Sequence, residues 1–175
     1  MSEIKNEAVV VNNEKVNVLR GGIWTRATWM GLFYDEACKV GLAKEMEEVL
    51  RRGIRRLGLK QGGEMRQPML DGDGNLDFAK FQGLLLPPVS FDTFEAEEIK
   101  VDNDSAEVTY HFCPLLKGWQ DQGFDDERCA LLCDIAMEGD RCIAEGLGLD
   151  FELEQSIAQG CPTCHMIYRK KRGTK

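Results

Sequence analysis

Val108-Thr-Tyr-His-Phe-Cys-Pro-Leu-Leu-Lys-Gly-Trp119 is followed, after a short polar link, by Cys129-Ala-Leu-Leu-Cys-Asp-Ile-Ala-Met-Glu-Gly-Asp140. The first half opens on β-branched and aromatic residues, which predicts a strand ending at Cys113. Pro114 cannot donate to a ladder and its fixed φ suits a helical first turn, so a helix should start there. Cys113 then stands at a strand tip and at a helix N-terminus. Helix N-terminal amides favour an anion, which predicts a lowered thiol pKa and a candidate nucleophile.

The second half predicts one helix from Asp125 to Glu145. Cys129 and Cys133 are four apart and share a face, with Asp140 two turns further along it. These three residues read as one wall of a pocket. Cys129 reads equally well as plain core, because Leu132, Ala136 and Met137 accompany it and cysteine often serves as a small hydrophobe.

Outward from this stretch, Ala106–Phe112 and Phe91–Val101 predict a hairpin about the turn Asp102-Asn-Asp104. Phe151–Ser156 and Thr163–Lys170 predict a second antiparallel pair, bent at Gly160-Cys-Pro162. Upstream, Trp24–Val40 has helical spacing. Leu42–Leu57 carries a Leu42, Met46, Val49, Leu50, Ile54, Leu57 stripe and should end at Gly58. Trp24, Trp29 and the Met46 stripe read as core. Glu7–Leu19 reads as a short hairpin or a mobile arm, broken by Gly21-Gly22. Residues 1–22 are therefore set apart as an N-terminal arm and 23–175 as one domain. The fold class expected is α+β, a mainly antiparallel sheet packed against N-terminal helices and one long C-terminal helix.

Composition narrows the function. A chain of 175 residues with 43% hydrophobic content suits one domain with its own core. The net charge of -8 repels nucleic acid and anionic membranes. The basic run that starts at Arg169 reads as a solvated tail, with nothing aromatic to support nucleic-acid binding. No apolar run approaches a membrane span, and Met-Ser-Glu-Ile-Lys-Asn-Glu is no signal core, so a cytoplasmic protein is expected. Seven cysteines, an odd number, then argue for free thiols or a metal rather than a disulfide scaffold. Asp71-Gly-Asp-Gly-Asn-Leu-Asp77 has alternating oxygen ligands, but Leu76 replaces the glycine of a calcium loop and Gln82 its bidentate glutamate. It reads as a solvated turn.

The order C-P-L-L-x-x-W-x-x-x-G (Cys113–Gly123), L-C (Leu132-Cys133), G-D-R with E-G-L-G (Gly139–Gly148) and G-x-x-x-C (Gly160–Cys164) resembles the L-2-amino-thiazoline-4-carboxylic acid hydrolase family. The resemblance spans Val108–Tyr168 and is weaker upstream, where a helical pattern ending at Arg56–Gly58 fits. It implies an α+β fold, hydrolytic opening of a thiazoline ring, a small-molecule substrate, and site positions at Cys113, Cys133, Asp140 and Cys164. The chain departs from the family pattern with Cys161-Pro162 and His165 where acidic residues are expected.

Two functions follow. In the first, a hydrolase of a small cyclic C–N bond uses Cys113 as nucleophile and Asp140 to hold the substrate's amino group. His111 is a candidate base, two residues away on the same strand face, or else a strand histidine with no role. No cofactor is required. In the second, Cys161, Cys164 and His165, joined by Cys113, Cys129 and Cys133, bind zinc or an iron–sulfur cluster for sensing or electron transfer. Cys161-x-x-Cys164-His165 also matches covalent haem attachment, which needs an exported chain and is set aside. A homo-oligomer is compatible with either.

Overall fold

The computed structural model describes residues 3–85, 87–97 and 99–171. The end of the basic tail and Glu98 of the expected strand lie outside them. The helices are α1 (Glu14–Lys39), α2 (Ala43–Arg66), α3 (Phe81–Leu85), α4 (Pro88–Phe94), α5 (Pro114–Asp121), α6 (Asp126–Ala136) and α7 (Glu138–Leu147). The strands β1 (Lys100–Val101), β2 (Ser105–Tyr110), β3 (Leu149–Gln155) and β4 (Cys164–Lys170) form one antiparallel sheet in the order β1-β2-β4-β3. This is the α+β architecture expected, with the sheet antiparallel throughout.

Several local expectations are corrected. Glu7–Leu19 forms no hairpin: the Asn13 side chain accepts from the Val16 N–H at 3.3 Å and caps α1. The helix then runs unbroken through Gly21 and Gly22. Trp29 is not core but 63% exposed, in edge contact with exposed Phe33. Phe91–Val101 is not a strand. Pro88 starts α4 and Glu95, at φ 50°, ends it, leaving two residues of β1 and an isolated bridge from Ala96 to Tyr110. That left-handed Glu95 is held by Arg20, whose guanidinium lies 2.9 Å from its carboxylate, and by the N–H groups of Val9 and Val10.

Gly58 does not end its helix either; α2 continues to Arg66. A Cβ at Gly58 would stand 2.6 Å from the Gly139 carbonyl, and Gly62 and Gly146 are just as close to the facing backbone. The absent side chains let α2 and α7 touch along their backbones. The long C-terminal helix is in fact two, meeting at Met137, which closes α6 and opens α7. The break comes just before Gly139, a poor helix former, whose carbonyl is turned against α2.

The core has two parts. Val108, Met166, Leu149 and Tyr168 of the sheet pack with Leu147, Phe78 and Phe81. Ala27 and Tyr34 of α1, Trp119 of α5 and Leu132 of α6 make the other, with Cys113, Cys133 and Cys164 partly buried against it. The Trp119 indole donates to the Ala27 carbonyl at 2.8 Å and ties α5 to α1. The turn at Asp71 is a solvated Asx turn, its Oδ1 accepting from the N–H groups of Asp73 and Asn75.

Candidate active site

Cys113 stands where the sequence put it, as N-cap of α5 with Pro114 at the first helical position. Its Sγ accepts from the Leu116 N–H at 3.5 Å and from the Leu115 N–H. These amides favour a thiolate, but the thiol is sunk in protein, and burial wins. Its pKa is raised well above 9.0, with the nearby Cys164 and Cys133 thiols adding to the shift. The expected lowering of this pKa is therefore reversed in the free protein.

Cys133 projects from α6 with its Sγ 3.7 Å from the Ser156 hydroxyl, and burial pushes its pKa up to about 12. Cys164 opens β4 directly across from Tyr110 of β2, and its Sγ accepts from the Ile157 N–H at 3.4 Å. The Asp140 carboxylate raises the pKa of both Cys133 and Cys164, so the break at Met137 has not carried it away from them. The structure thus brings Cys113, Cys133, Cys164 and Asp140 into one group between the two parts of the core.

Asp140 lies in the first turn of α7. Its residue keeps some accessible surface, yet burial of the carboxyl raises its pKa to about 6. Opposing this are the Tyr168 hydroxyl, donating to Oδ1 at 3.3 Å, a hydrogen bond from the residue's own N–H, and the charges of Arg141 and Arg26. Arg141 is committed to Asp134 and Glu138. Arg26 has no hydrogen-bond or ion-pair partner among the described residues. Beside the group a cleft of about 260 Å³ opens on Cys133 and Ser156, flanked by Met137, Phe151 and Arg141.

Other expected members are elsewhere. His111 is exposed, its Nε2 2.8 Å from Glu97. Cys129 is fully buried core. His165 follows Cys164 on β4, so it points to the opposite face of the sheet, where it meets Glu154 at 2.9 Å and Glu107 at 3.4 Å. The Cys161-x-x-Cys164-His165 pattern is split by this alternation. Among the described residues no three His, Cys, Asp or Glu side chains are disposed to hold a metal ion. Tyr110, Tyr168 and Ser156 were not foreseen. Tyr110 lies two residues before the capping thiol's predecessor, but nothing local marks it, since its place depends on pairing with Cys164.

The α+β fold thus sets a strand-to-helix thiol, two further thiols and a buried carboxyl beside a small cleft. The chain belongs to the L-2-amino-thiazoline-4-carboxylic acid hydrolase family, whose sequence model matches residues 23–168. No curated protein matches it. No helix among the described residues is long and apolar enough to cross a membrane.

Proposed function

We propose that this protein hydrolyses a thiazoline-type cyclic amidine, opening its C–N bond with Cys113 as nucleophile. The observation that carries the reading is the grouping of Cys113, Cys133 and Cys164 with the buried carboxyl of Asp140. A thiol with a raised pKa is a poor nucleophile alone. A 2-amino-thiazoline supplies what is lacking, because its basic ring nitrogen takes the proton from Sγ–H. The resulting thiolate faces an amidinium, whose positive charge is balanced by Asp140 and whose presence removes the cost of burying an isolated anion.

The thiolate attacks the ring carbon between sulfur and nitrogen. The C–N bond of the ring then breaks, and a proton leaves the exocyclic amine for the departing ring nitrogen. Asp140, with a pKa of about 6, is suited to relay that proton near neutrality. Water adds to the enzyme-bound carbon, the carbon–Sγ bond breaks, and the thiol is restored. One water is consumed, the product is an S-carbamoyl thiol, and no cofactor is called for. Cys133 and Cys164 line the carbon's surroundings, and the positive charge of Arg26 is available to a substrate carboxylate.

Chromatographic assay of L-2-amino-thiazoline-4-carboxylic acid opening tests this. Cys113→Ser should abolish turnover and leave substrate binding largely intact. Wild-type turnover in that variant would remove Cys113 from the role.

A further inference from the structure

The first segment of the chain, outside the family match, reaches the candidate nucleophile. Asn6 is 2% exposed, and its carboxamide meets the Cys113 backbone twice. Its Oδ1 accepts from the Cys113 N–H at 2.9 Å, and its Nδ2 donates to the Cys113 carbonyl at 2.9 Å. One side chain thus satisfies both backbone groups of the residue at which β2 gives way to α5. At that position the N–H has no ladder partner, because β2 ends at Tyr110, while the carbonyl also accepts the first bond of α5 from the Lys117 N–H at 3.1 Å.

The segment itself is fastened on both sides of Asn6. The Glu3 N–H donates to Asp126 at 3.0 Å, and the Gln120 side chain donates to the Ile4 carbonyl at 2.9 Å. Beyond Asn6, the N–H groups of Val9 and Val10 donate to Glu95 at 2.7 and 2.8 Å. The contacts run to α5, α6 and the end of α4, so the strap spans the elements that flank Cys113.

We infer that Asn6 is a positioning residue for Cys113, its carboxamide holding the extended backbone at φ −126° and ψ 108° so that Sγ faces the first amides of α5. The inference rests on the reading of Cys113 as nucleophile. Its physical basis is that a capping side chain meets the helix amides only from an extended backbone. With the carboxamide gone, only Pro114 biases Cys113 to extended backbone, and the aim of Sγ at its amide donors loosens. A misplacement of about 1 Å at a reacting atom can cost about 100-fold in rate.

The test uses the full-length protein, wild type and the variants Asn6→Ala and Asn6→Asp, each shown folded by circular dichroism at the assay temperature. Two quantities are read: kcat and KM on L-2-amino-thiazoline-4-carboxylic acid, and the rate of iodoacetamide alkylation at Cys113 and at Cys133 at about pH 8, by peptide mass spectrometry. In Asn6→Ala we expect kcat to fall about tenfold or more with KM held within about twofold, and Cys113 alkylation to slow relative to that of Cys133. Asn6→Asp keeps the acceptor but sets a charge beside the joint, so its Cys113 should react more slowly still. A wild-type ratio of Cys113 to Cys133 alkylation in either folded variant overturns the inference, whatever happens to kcat. Should neither variant fold, amide exchange at Cys113 in the wild-type protein decides: protection supports the clamp, and exchange at loop rates overturns it. A Cys113→Ser protein that still turns over would remove the nucleophile reading, while the alkylation rates would still judge the clamp. An inactive Cys113→Ser with an unaltered Asn6→Ala would remove the clamp alone.

Discussion

The Tyr168 hydroxyl donates to Oδ1 of Asp140 at 3.3 Å, joining the sheet to the first turn of α7 at a carboxyl otherwise short of water. This bond favours the carboxylate and opposes the burial that raises its pKa to about 6. Tyr168→Phe should therefore raise it further. If the ionised form binds substrate, the acidic limb of kcat/KM moves up by about 0.5–1 pH unit, the worth of one ordinary hydrogen bond. A pH–rate profile of the variant checks this, and an unmoved limb contradicts it.

Asp140→Asn should weaken binding and turnover together by roughly 1.5–3 kcal/mol, as one charge-assisted hydrogen bond is lost. Stability should respond in the opposite sense. An acid whose pKa rises on folding, here from 3.8 to about 6, leaves the fold progressively less stable as pH climbs from about 4 to about 6. The loss amounts to about 3 kcal/mol at most. Denaturant titrations at pH 4, 5 and 6 should show this decline in the wild type and a flatter course in Asp140→Asn.

How much of this was legible beforehand depends on the range of the interaction concerned. The Cys113-Pro114 joint could be read because proline acts on its own residue and the next turn. Asp140 could be placed near Cys133 because seven residues of helix bring them round to one face, and the break at Met137 falls late enough to preserve this. Cys164 came through the family resemblance. The ionisation of Cys113 is not legible in sequence, because a helix N-terminus is visible there whereas burial is a property of the assembled molecule. Tyr168 and Ser156 escaped for the same reason: their neighbours lie 28 and 23 residues away. Asn6, 107 residues from Cys113, belongs to residues 1–22, which sequence reasoning sets apart as an N-terminal arm.

Alkaline conditions should destabilise the protein through its thiols. Cys133 rises from 9.0 to about 12 on folding and Cys129 to about 11. Between pH 9 and those values the unfolded chain releases protons that the native state retains, so stability falls as pH rises. Each such thiol contributes about 1.4 kcal/mol per pH unit. Thermal melts from pH 8 to 10.5 should show the decline, and Cys133→Ala should lessen its slope.

Gly58→Ala should destabilise the fold by about 1–2 kcal/mol net. Alanine is the better helix former by about 1 kcal/mol. Here, however, its methyl would stand 2.6 Å from the Gly139 carbonyl, and overpacking costs about 1–3 kcal/mol or more. Gly53, with nothing near its Cβ position, supplies the contrast: Gly53→Ala on the same helix should be neutral or stabilising. Chemical denaturation of both variants separates the two effects.

The bare contact between α2 and α7 has a bearing on how finely Asp140 is located. The carboxyl belongs to the residue after Gly139, and Gly139 rests on Gly58 with no side chain between them. A support made of side chains can rearrange its rotamers and let the supported group drift. Peptide against peptide lacks that freedom, and with Ile54 beside Gly139 it fixes the backbone that carries Asp140. Positions of α2 that face solvent and make no contact with α6 or α7 can therefore be rewritten, for solubility or attachment, without disturbing the calibration of the carboxyl on its other side.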